Sequence, residues 1–133
     1  MNIKNGIEKS GGEPSRVQLN FCKYLSFRYL VNFEIEYIVT FGQSLCMLGD
    51  IGELGHWKHL LLEMDWTKGN IWKAKIEIAS RVFCYKYVVV DQDDNIIRWE
   101  EGYNRIGDLD IAEKQGLFQD GEFSFHDVRK SFN

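Results

Sequence analysis

From Arg81 to Asp91 nearly every position is apolar or aromatic, Val82-Phe83-Cys84-Tyr85-Lys86-Tyr87-Val88-Val89-Val90, and this run constrains the fold more than any other segment. It reads as a central strand, covered on both faces. Its neighbours are half apolar. Val31, Phe33, Ile35 and Tyr37 alternate with Asn32, Glu34 and Glu36, and Trp72, Ala74, Ile76 and Ile78 alternate with Lys73, Lys75 and Glu77. That period of two belongs to strands with one wet face. Ser44 to Gly49 reads as a further strand after a Gly42-Gln43 turn. Asp91 to Asn95 is a polar turn, with Ile96 to Glu100 as its hairpin partner. After a long irregular stretch, Phe123 and Phe125 alternate with Glu122, Ser124 and His126 in a closing strand, Gly121 to Val128.

One short helix or turn fits Trp57 to Glu63, and no segment carries a convincing helical period. The expected fold is all-β, an immunoglobulin-like β-sandwich of seven or eight mostly antiparallel strands. It spans residues 29–128, between a partly disordered N-terminal arm (1–28) and a C-terminal tail (129–133).

At 133 residues the chain is long enough for one domain. A net charge of -4 with interspersed signs gives no track for phosphates, so no nucleic acid is expected as partner. Cys22, Cys46 and Cys84 are odd in number and lack CxxC spacing, which favours free thiols in a reducing compartment. No segment has the apolar length of a signal peptide or membrane span. The expectation is a cytoplasmic protein with no membrane association. His56, His59 and His126 lack zinc-ligand spacing, and no metal or other cofactor is expected. Asp50, Glu53, Asp91, Asp93 and Asp94 are acidic residues of turns and loops, and no catalytic residue is assigned.

Trp57 and Trp99 sit where strands give way to loops, whereas Trp72, inside an alternating strand, belongs to a core. A large flat ring at such a border suits the C–H face of a sugar. Stacking removes apolar area from water at about 25 cal/mol per Å², and the π face attracts the slightly positive C–H groups. Rim hydroxyls then need donors and acceptors if their desolvation is not to cancel the gain. A lysine, a carboxylate and an asparagine supply both kinds.

In order along the chain stand Phe41-Gly42-Gln43, Leu54-Gly55-His56-Trp57, Trp72, Tyr85-Lys86-Tyr87, the acidic turn Asp91 to Asn95, Trp99-Glu100 and Asn104-Arg105. This succession, over about residues 29–128, resembles the family 20 carbohydrate-binding modules, the starch-binding domains. The resemblance implies a β-sandwich with two glucan sites. The first falls on Trp57, Lys86, Trp99, Glu100 and Asn104, with the indoles as a platform and the polar residues bonding sugar hydroxyls from its edge. A weaker second site falls on Phe41 and Trp66, with Asp65 supplying a polar contact. The implied function is non-catalytic binding of α-1,4-glucan (starch, glycogen, maltooligosaccharides, β-cyclodextrin). Such binding would target a covalently attached or associated catalytic domain to the polysaccharide. Parts of the chain are similar to the modules of phosphoglucan, water dikinases, and its Asp120-Gly121-Glu122-Phe123 ending to those of glycerophosphodiester phosphodiesterases. Laforin-type phosphatases and amylolytic enzymes are further hosts of such modules. The alternatives are a protein-interaction sandwich without sugar affinity and a fragment of a glucan-active enzyme.

Overall fold

The alternation that starts near Val31 becomes the strand β1 (Tyr29–Glu36) of a computed structural model that describes residues 28–133. Nine strands follow in chain order: β2 (Ser44–Gly49), β3 (Leu62–Glu63), β4 (Asp65–Thr67), β5 (Ile71–Ile78), β6 (Val82–Val90), β7 (Ile96–Trp99), β8 (Arg105–Asp108), β9 (Phe118–Gln119) and β10 (Glu122–Asp127). Seven of the ten are four residues or longer. They build two sheets. The first has the order β4-β5-β1-β10-β9; the second has the order β3-β2-β6-β7, with β8 also paired to β6.

The core forms where the apolar sides of these strands meet. Val31, Phe33 and Ile35 lie opposite Ile76, Ala74 and Trp72 of β5. The same β1 residues face Phe123, Phe125 and Asp127 of β10 in a parallel pairing. Phe33 is the hub. Its ring stacks on Phe125 at 5.6 Å and meets Tyr85 edge-on at 5.1 Å, with centroids as reference. Such pairs contribute roughly 0.5–1.5 kcal/mol beyond their area. Trp72 is buried here, and its indole N–H donates to Tyr37 O at 2.9 Å. Gly107, opposite Phe83 in the β6–β8 ladder, is required by packing: a Cβ there would lie 2.4 Å from Cζ of the Phe83 ring.

β6 is central in its sheet, paired with β2 on one side and with β7 and β8 on the other. Phe83, Tyr85, Tyr87 and Val89 face the inter-sheet core. Val88 and Val90 face outward and join Cys46 and Leu48 in a second apolar cluster, covered by Trp57, Leu60 and Ile96. The two-faced hydrophobicity of the run therefore has two separate causes, one on each side of the sheet.

Two features differ from the sequence reading and two add to it. The short turn of helix is a 3-10 segment at Gly52–Trp57, upstream of Trp57 to Glu63. The stretch after Asn104 is not irregular. It holds β8 and a helix α1 (Leu109–Lys114), whose first turn is capped by Asp108 accepting from Ile111 N at 3.1 Å. Six residues make less than two turns, too few for a legible period. The closing strand β10 runs parallel to β1, while the other ladders are antiparallel. Residues 131–133, within the expected C-terminal tail, pair in antiparallel fashion with residues 99–101. The arm at 1–28 and Cys22 lie, but for Arg28, outside the described residues. Cys46 and Cys84 are free thiols. Burial, then the nearby Glu63 and Asp94 charges, push the Cys46 thiol up to about 12.

Candidate functional site

The outer face of the second sheet gathers most of the expected first site. Register places Trp99 opposite Val88 and Lys86 opposite Leu48, and side chains of directly paired residues share a face. Trp99 therefore stands on the face already occupied by Trp57, which is half-buried against the cluster of Cys46, Leu48, Val88 and Val90. Trp99 is 39% exposed. Lys86 is half-buried on the same face, two residues and about 7 Å along the strand from Val88.

Local backbone conformation sets the position of Trp57. Gly55, His56 and Trp57 hold φ of 81°, 51° and 64° in succession. Left-handed backbone costs non-glycine residues about 1–2 kcal/mol each. The surrounding bonds hold it: His56 N donates to Ile51 O at 3.1 Å, and both Lys58 N and His59 N donate to Gly55 O. A side chain held in sparsely populated backbone at a strand–loop border is a common mark of a binding position.

Residues 101–104 bulge from the sheet beside Lys86. On one side Glu100 N donates to Tyr87 O at 3.1 Å, and on the other Arg105 pairs with Tyr85. Asn104, at the end of this exposed loop, is thereby brought to the same edge as Lys86.

Glu100 departs from the expected role. Its side chain has no exposure, and its carboxylate is turned inward. Oε2 accepts from Arg105 Nε at 2.8 Å and lies 2.6 Å from Nη2; Oε1 accepts from Tyr87 N at 3.3 Å. A carboxylate with no exposure cannot be reached by sugar hydroxyls. It closes the base of the loop instead. Arg105 extends the network to Val128 O at 2.6 Å and lies 3.7 Å from Asp127. Burial opposes its charge, but bonding to Glu100 and the charges of Glu100 and Asp127 prevail and raise its pKa. Asp127 in turn accepts from the Tyr85 and Tyr87 hydroxyls, each at 2.7 Å. Burial first, then the Asp127 charge, drive both tyrosine pKa values well up.

The second expected site is only partly assembled. Phe41 is fully exposed and Trp66 is 54% exposed. The segments that carry them are stitched together at Tyr37 N to Asn70 O, 3.0 Å, and Met64 N to Leu45 O, 2.9 Å. Asp65 does not join them. It pairs with Lys73 while Trp66 pairs with Trp72, and adjacent strand residues point to opposite faces. Asp65 lines a polar groove on the outer face of the first sheet with Asn32, Glu34, Lys73 and His126. The polar partner of Trp66 is Asn70, whose Oδ1 accepts from the indole N–H at 3.0 Å.

The starch binding domain family matches residues 28–116. The 4-alpha-glucanotransferase DPE2 of Oryza sativa subsp. japonica is 33% identical over 100 residues, which cover 66% of this chain and 11% of that protein. The chain thus spans about a tenth of that relative's length. Among solved structures, the family 15 glucoamylase of Hypocrea jecorina matches with a TM-score of 0.63 and 20% identity, over 78% of this chain and 17% of that one. The family 20 module of the maltotetraose-forming amylase of Pseudomonas saccharophila matches with a TM-score of 0.57 and 18% identity, over 74% of this chain and 98% of the module. These two structures share the fold of the chain.

Proposed function

The chain belongs to the starch-binding domain family and is a non-catalytic carbohydrate-binding module, and from that premise we propose that it holds α-glucan on the outer face of its second sheet through Trp57 and Trp99. The observation that carries this reading is that the Val88–Trp99 pairing sets Trp99 on the sheet face where Trp57 packs over the Cys46, Leu48, Val88 and Val90 cluster. Lys86 and Asn104 stand at the edge of that face, as a donor and as a donor–acceptor for glucose hydroxyls. The carboxylate of Glu100 takes the supporting role given by its burial.

Such a module raises the local concentration of polysaccharide around a catalytic domain attached to it or associated with it. The resemblance to a much longer 4-alpha-glucanotransferase supports a glucan-active enzyme as that companion. Phe41 and Trp66 offer a second, weaker aromatic contact for another stretch of the same polymer.

Titration calorimetry with β-cyclodextrin tests the first site. Each of Trp57→Ala and Trp99→Ala removes on the order of 60 Å² of stacked area, about 1.5 kcal/mol, and is expected to weaken binding roughly tenfold. The double variant is expected to lose measurable binding while keeping its far-ultraviolet circular dichroism. A double variant that binds within twofold of the parent rules out this platform.

A further inference from the structure

Trp99 has an unusual backbone environment for a residue in a sheet. Its partner strand β6 receives Glu100 N at Tyr87 O, so the N–H and C=O of Trp99 itself point the other way. There they meet residues 131–133. Trp99 N donates to Asn133 O at 3.0 Å, and Asn133 N donates to Trp99 O at 2.8 Å. Glu101 N donates to Ser131 O at 2.9 Å, and Lys130 Nζ donates to Tyr103 O at 3.0 Å. Phe132, opposite Glu100, anchors this segment by packing on the core, with its ring 4.4 Å from that of Tyr37. Lys130, Ser131, Phe132 and Asn133 lie beyond the stretch that matches the family, 28–116.

We propose that Lys130 to Asn133 forms a positioning strand for the glucan platform, fixing the Trp99 backbone and the loop that ends at Asn104. The proposal rests on the reading that Trp99 contacts sugar. The physical argument is preorganisation. A shallow open platform gains little per glucose, so affinity depends on how little must be ordered when the sugar arrives. With the strand docked, the peptide groups of Trp99 and Glu101 are bonded before binding. With it gone, residues 99–104 keep only the Glu100 and Arg105 attachments, and their ordering must be met by the binding energy.

The test compares the parent with a chain ending at Arg129, with Asn133→Pro and with Phe132→Ala. Asn133→Pro deletes one donor to Trp99 without touching the core, so it stays informative if removal of Phe132 destabilises the sandwich. Phe132→Leu serves as the conservative rescue. Calorimetry with β-cyclodextrin is run at a temperature where circular dichroism shows each variant folded, alongside amide hydrogen exchange. Truncation and Phe132→Ala are expected to weaken binding about tenfold, and Asn133→Pro by a few-fold. The Trp99 and Glu101 amides should lose protection while those of β1 and β5 keep it, and Phe132→Leu should bind like the parent. Folded variants whose affinities all stay within twofold of the parent would overturn the proposal. If Trp99→Ala also binds normally, the platform reading itself fails; if Trp99→Ala loses binding and truncation does not, only the positioning strand fails.

Discussion

Arg105→Met is expected to lower the free energy of unfolding by about 3–5 kcal/mol, the usual cost of leaving a buried charge without its partner. The Glu100 side chain has 0% exposure and that of Arg105 has 14%, so water cannot replace the guanidinium. Glu100 would keep only the Tyr87 N–H, at 3.3 Å. Val128 O and Asp127 would lose their cation as well. Glu100→Gln is expected to cost less, because its one amide oxygen still accepts from Arg105, and only the weaker Tyr87 N bond, at 3.3 Å, is given up. The pair Glu100→Leu with Arg105→Met should regain much of the loss, since an apolar pair of similar volume leaves no charge behind. Urea midpoints at constant m-value measure these chains; with the single variant Glu100→Leu included, the coupling between the two sites is the departure of Glu100→Leu, Arg105→Met and their double variant from additivity. A loss below 1 kcal/mol for Arg105→Met would mean that solvent reaches Glu100. The same variants separate support from contact: the double variant restores stability but not the bonds that close the loop, so its β-cyclodextrin affinity should stay low.

The parts of this module that were legible in its sequence are those written in side-chain pattern. The β6 run announced itself because both of its faces are apolar, and the structure covers both, one with the other sheet and one with Trp57, Leu60 and Ile96. Trp57 and Trp99 were legible as border residues; pairing with Val88 sets Trp99 on the sheet face against which Trp57 packs. The inward turn of Glu100 was not, because it depends on Arg105 and on Tyr87 N, whose proximity only the fold creates. The role of residues 131–133 was invisible for another reason: it is made mostly of backbone hydrogen bonds, which leave no mark on side-chain alternation. The parting of Asp65 from Trp66 was in principle readable from strand parity. Three residues of β4 are too few to declare a strand, so no parity was assigned. α1 escaped notice on the same count, with Leu109 and Ala112 its only buried residues.

Alkaline pH should lower the stability of this domain in two stages, and the sign follows from which state holds the protons. Tyr85 and Tyr87 are buried and donate to the same Asp127 oxygen, so the folded chain keeps both protonated far above their ordinary pKa near 10. In the unfolded chain both ionise near that value. Above it the unfolded state binds fewer protons, and stability falls as pH rises. The slope is about 1.4 kcal/mol per pH unit for each tyrosine, or about 2.7 for the two. Below pH 10 their contribution is fully present. Cys46 starts earlier: its thiol is pushed up to about 12 in the fold from an ordinary value of 9.0. It adds a shallower fall of about 1.4 kcal/mol per unit that begins near pH 9 and ends as the folded thiol ionises. Urea midpoints at pH 8, 9, 10 and 11 are expected to trace a gentle decline followed by a steep one. Cys46→Ala should flatten the first stage, and Tyr85→Phe or Tyr87→Phe should each remove about 1.4 kcal/mol per unit from the second. A parent midpoint that holds level from pH 9 to 11 would show that these hydroxyls reach water, and that the Asp127 cluster does not close the end of the sandwich beneath the Trp99 loop.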